Sequence, residues 1–159
     1  MEQLDASKNL LWIWHATKIP PHIGVSSDGH YFSLKVSGKD VDLNVENIIS
    51  LAKSKSIAMI CVELKHDFSA FDLSRVFDAY SIAASDASTC LSPIKDLLKI
   101  PIVQQLSELL QKLEQNNTLG EIFGMNLPSC YDRIPEYSSL EIQQRLIKLE
   151  NAQRKTSLS

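Results

Sequence analysis

The sequence has no long apolar run. Its first, Leu10 to Trp14, spans five residues, far short of the ~20 that cross a bilayer and too short for the core of a secretory leader. The opening Met1-Glu2-Gln3-Leu4-Asp5 also lacks the positive region of such a leader, so a cytoplasmic chain without a transmembrane segment is expected. Glycine is sparse, at five residues, and neither GxGxxG nor GxxxxGK occurs, which removes the backbone loops that cradle phosphate. Neither Cys-x-x-Cys nor His-x-x-x-His is present, so no metal and no cofactor is expected. Three cysteines cannot all pair within one chain, which fits a reducing compartment better than a disulfide framework. Charge of one sign is missing too. Sixteen basic against nineteen acidic side chains leave a formal −3, and without a basic stripe no nucleic-acid partner is expected.

What is present is an ordinary globular composition, 44% hydrophobic and 22% charged, in a chain long enough to hide roughly 70% of its unfolded surface in one core. Residues 1–8 are polar and read as a loose N-terminus. Leu10 to His15 alternates as a strand, with Trp12 and Trp14 on one face and Leu11 and Ile13 on the other. His22 to Val25 and Tyr31 to Val36 flank Asp28-Gly29, a tight-turn pair that tolerates positive φ. A turn at Ser37 to Asp40 then ends that strand. Asn44 caps a helix bearing Val45, Ile48 and Ala52. The apolar run Ser56 to Leu64 suits an interior strand, and Asp72 is placed to cap the next helix.

Ser92-Pro93 opens another helix, and Pro101 starts one carrying Ile102, Val103, Leu106, Leu109 and Leu113. Residues 118–137 read as an irregular connection. Ser138 and Glu141 form a capping box for a last amphipathic helix over 138–153, whose apolar face offers either docking on the parent domain or self-association and partner binding. The fold class expected is α+β: a small, mainly antiparallel sheet with packed helices and a helical C-terminal extension. It forms one domain over 9–155, strand-rich over 9–100 and helical over 101–155.

Four histidines, His15, His22, His30 and His66, fall at strand ends, where a sheet gathers side chains at a rim. A thiol nucleophile needs an imidazole to take its proton and gains from a helix N-terminus. Cys90 precedes a helix start, and His22 opens a strand that can lie beside it. The catalytic candidates are therefore Cys90 and His22, with His30 or Asp28 orienting the imidazole, and with amides around Cys90 and Leu91 available to an oxyanion. Cys61 reads as a buried, inert thiol.

The run His22-Ile23-Gly24-Val25, the Asp28-Gly29 turn, Tyr31-Phe32-Ser33-Leu34 and the later pre-helical Cys90 resemble the permuted papain-like fold of the lecithin:retinol acyltransferase-like cysteine hydrolases. The resemblance covers about residues 20–100. It departs from that pattern at Ser88-Thr89, where an asparagine is common, and at Pro93, which can place the helix start after Cys90. It implies a cysteine hydrolase or acyl-transfer enzyme acting on a small-molecule or peptide amide, ester or thioester. The reading from another class is a non-catalytic interaction or structural domain working through 138–153.

Overall fold

The computed structural model describes residues 4–17, 21–83 and 89–128. Six strands form one antiparallel sheet: β1 (Leu10–Trp14), β2 (His22–Ser27), β3 (His30–Lys35), β4 (Gly38–Asn44), β5 (Met59–Leu64) and β6 (Leu119–Met125). Their order across the sheet is β4-β3-β2-β1-β5-β6. The first four strands meander toward one edge. Helix α1 (Val45–Ser54) then carries the chain back across one face to β5. Helices α2 (Ala70–Asp78), α3 (Ser92–Leu98) and α4 (Leu106–Gln115) follow β5 and lead to β6 at the far edge. The α+β class and the antiparallel sheet expected from the sequence are both present.

Alternation along β1 sorts the core into two clusters. Leu11 and Ile13 pack with Ile23, Val25 and Phe32 against Leu73, Phe77, Ile94 and Leu109 of α2, α3 and α4. Leu10, Trp12 and Trp14 pack on the opposite face with Tyr31, Cys61 and the buried side of α1, Val45, Ile48 and Ala52. The tight turn forms as its residues dictate, with Asp28 at φ 49° and Gly29 at φ 82°, the double positive φ of a two-residue hairpin. Asn44 accepts from the Glu46 amide at 2.9 Å and so caps α1.

Several boundaries differ from the expectation. The turn after Lys35 does not end the strand run; it leads into β4, an edge strand with Val41 and Leu43 39% and 40% exposed. β6 occupies part of the segment read as irregular, so the portion after residue 101 is not purely helical. Ser69, rather than Asp72, caps α2, and Asp72 closes a reciprocal capping box from the third helical position. The helix expected from Pro101 begins at Leu106, leaving Ile102 75% exposed. The expected helix over 138–153 and Cys130 lie outside the described residues. No helix among those described is long and apolar enough to cross a membrane.

Candidate active site at one rim of the sheet

The strand directions divide the histidines between two rims. His22 pairs with Trp14 at the end of β1, and His15 is the next residue, so these two share a rim. His30 pairs with Ser27 across the hairpin turn, and His66 follows Leu64 at the end of β5, placing both at the opposite rim. Five residue steps along β2 separate the rims by roughly 17 Å. His30 hydrogen-bonds to exposed Asp42, and Asp28 lies in the hairpin turn. Neither is placed to orient His22.

Cys90 is brought to the His22 rim. The chain leaving α2 passes the end of β3, where the Ala83 amide donates to the Lys35 carbonyl at 2.8 Å. Cys90 then comes near the first residues of β2, where the Ile23 amide acts on its thiol. Sixty-seven residues intervene between His22 and Cys90, yet the thiol comes close to the residue that follows the histidine.

Orientation separates the two side chains. Successive residues of a strand leave opposite faces. Ile23 joins the α2–α4 side, where Cys90 also packs. His22 leaves β2 with Gly24, on the face that carries Trp14 and Tyr31. The Nε2 of His22 is buried with no hydrogen-bond partner, and no hydrogen bond joins it to the thiol. Burial pushes the Cys90 thiol up to about 11 and the His22 imidazole down to about 4, with Asp40 opposing that fall and Lys35 and His15 adding to it. Both groups are neutral at pH 7.

The helix entry falls at Ser92-Pro93, as the sequence predicts. α3 begins at Ser92 behind a Leu91 cap, so Cys90 stands outside the first turn. The Leu91 amide donates to Thr89 Oγ1 at 3.2 Å and is not free for an oxyanion in this arrangement. Cys61 is buried in β5, and burial holds its thiol far above the ordinary range, as its apolar neighbours in the sequence suggest. No cluster of three or more metal-ligating side chains occurs among the described residues.

Asp40 is the residue that the sequence does not single out. It lies in β4 opposite Ser33, in a strand missed because it lacks a buried face. Compared with known proteins, the chain matches no family model, no curated protein and no solved structure.

Proposed function

We propose that the chain is a thiol-dependent hydrolase or acyl-transfer enzyme, with Cys90 as nucleophile and His22 as its proton carrier. The observation supporting this is the return of Cys90 to the start of β2, within reach of the amide of Ile23, the residue after His22. In this reading the Cys90 sulfur attacks the carbonyl carbon of an amide, ester or thioester. Its proton passes to His22 and then to the departing amine, alcohol or thiol. Water or a second acceptor then cleaves the acyl-thioester and regenerates the thiol. A side-chain movement at the rim must first bring imidazole and thiol onto one side of β2. The substrate is a small molecule or a peptide bearing such an acyl group.

A second reading is favoured by the same site's electrostatics. A thiol near 11 and an imidazole near 4 leave the proton on sulfur throughout the physiological range. Thiol and ring in this state are packing groups of a non-catalytic interaction domain, in which the 138–153 segment is the partner surface.

Iodoacetamide labelling of each cysteine, followed by mass spectrometry across pH, separates the two. The enzyme reading expects Cys90 to label faster than Cys61 and Cys130, to remain reactive below the ~8.5 of a free thiol, and to slow at neutral pH in His22→Ala. Cys90 labelling only at high pH or on unfolding, indifferent to His22→Ala, establishes the non-catalytic reading instead.

A further inference from the structure

β6 ends the sheet, and among the described residues only β5 pairs with it. The directions of its backbone groups follow from the strands beside it. The Leu64 amide donates to the Asn9 carbonyl at 2.8 Å, so the peptide groups of Leu64, Val62 and Ile60 face β1, and those of Cys61 and Met59 face β6. Their partners Phe123 and Met125 direct theirs to β5. The N–H and C=O of Ile122 and Gly124 therefore point out from the open edge. Both residues are exposed, Ile122 at 66%.

Sheet edges are ordinarily guarded by charge. β4, at the other end of the sheet, follows that rule with Lys39, Asp40 and Asp42. A two-fold axis at Val41 would set Asp40 against Asp42 of a second copy. β6 has one charge, Glu121, and neither lysine nor proline. Its register against β5 shifts only between Val62 and Leu64, so the run from Ile122 to Met125 is regular.

That run is complementary to itself about Phe123. With the axis there, Ile122 stands opposite Gly124 of the copy, and these outward-pointing residues exchange both backbone hydrogen bonds on each side of the axis. Phe123 meets its own copy in the closer, non-hydrogen-bonded pair, where aromatic rings interact across strands. Leu127 Cδ1 lies 2.6 Å from where a Cβ on residue 124 would stand, so the incoming Ile122 finds an apolar neighbour over the bare glycine. Glu121 faces Met125. The two Glu121 residues are then four residue steps apart, roughly 14 Å along the strand, beyond the ~8 Å screening length of physiological salt.

We infer that β6 is a self-association edge, through which two copies of the chain pair antiparallel about Phe123 and join their sheets into one. A single strand pair is small beside the ~1,200 Å² at which standard interfaces begin, so the dimer is weak and depends on concentration. It forms whether or not Cys90 is a nucleophile.

The test is sedimentation velocity with amide hydrogen exchange by NMR on the full chain, from micromolar to millimolar concentration. The mass is expected to climb from 17.8 kDa toward twice that value, and exchange at the Ile122 and Gly124 amides to slow several-fold as it does. Ile122→Lys adds a charge at an exposed position. It should keep the urea midpoint while weakening the dimer about tenfold or more. Exchange at the two amides that ignores concentration overturns the inference, whether fast, as in a monomer, or slow, as when another segment of the same chain covers the edge. A dimer that Ile122→Lys leaves intact also overturns it and moves self-association to another surface, such as 138–153. Should Ile122→Lys fail to fold, the exchange of the wild-type amides decides alone.

Discussion

The Tyr31 hydroxyl lies directly over Gly24, so close that a Cβ on residue 24 would come within 3.0 Å of the phenol ring and oxygen. The bare backbone of β2 thus admits the side chain that accepts from Trp14. Gly24→Ala is expected to cost about 1–3 kcal/mol from overpacking, with more lost if the Trp14 N–H is left without its acceptor. Urea unfolding measures it. Tyr31→Phe alone costs about 1–3 kcal/mol, because the buried indole donor loses its partner. Added to Gly24→Ala it costs less than the sum, since it removes the nearest clashing atom. Strict additivity of the two substitutions excludes this contact as the reason for glycine at position 24.

Stability near neutral pH reports on His22. Unfolded, its imidazole titrates near 6.5; folded, burial holds it near 4. Between those values the unfolded chain binds the extra proton, so stability rises with pH across the window. It is complete above about pH 6.5, falls as the pH drops toward 4, and loses nothing further to this group below that. The full effect is up to about 3 kcal/mol. Burial shifts His66 the same way and adds to the slope. Denaturant midpoints between pH 4 and 7 are expected to fall less steeply in His22→Gln than in wild type. Parallel curves for the two proteins sink the claim that this ring is buried without its proton.

Elements with a buried face or a local cap were legible. The alternation of Leu10 to Trp14 assigns both faces of β1 correctly because each face meets a different helical layer. Asn44 fixes the start of α1 through one side-chain bond. The edge strands were not legible for the opposite reason. β4 exposes the alternate residues Val41 and Leu43, and β6 carries Gly120, Gly124 and an Ile122 that is 66% exposed. Their pairing is set by β3 and β5 rather than by their own side chains. The site divides similarly. The approach of Cys90 to the His22 strand follows the order and spacing of elements. The face from which each side chain leaves β2, and the presence of Asp40, depend on register and on an edge strand that the pattern does not announce.

His30 provides the sharpest contrast with His22. Both open a strand and both have a carboxylate acting on them, yet His30 sits at the opposite rim, its ring bonded to an exposed Asp42. With side chains 47% and 62% exposed, such a pair contributes about 0–1 kcal/mol. His30→Gln is therefore expected to change stability by no more than that. It should leave the His22 titration and the Cys90 labelling rate where they are in wild type, because roughly 17 Å of sheet separates the rims. Labelling and NMR of the single variant check both points. A slowed Cys90 or a displaced His22 midpoint in His30→Gln would mean that the two rims communicate, and that the third member of the site had been sought at the wrong end of β2.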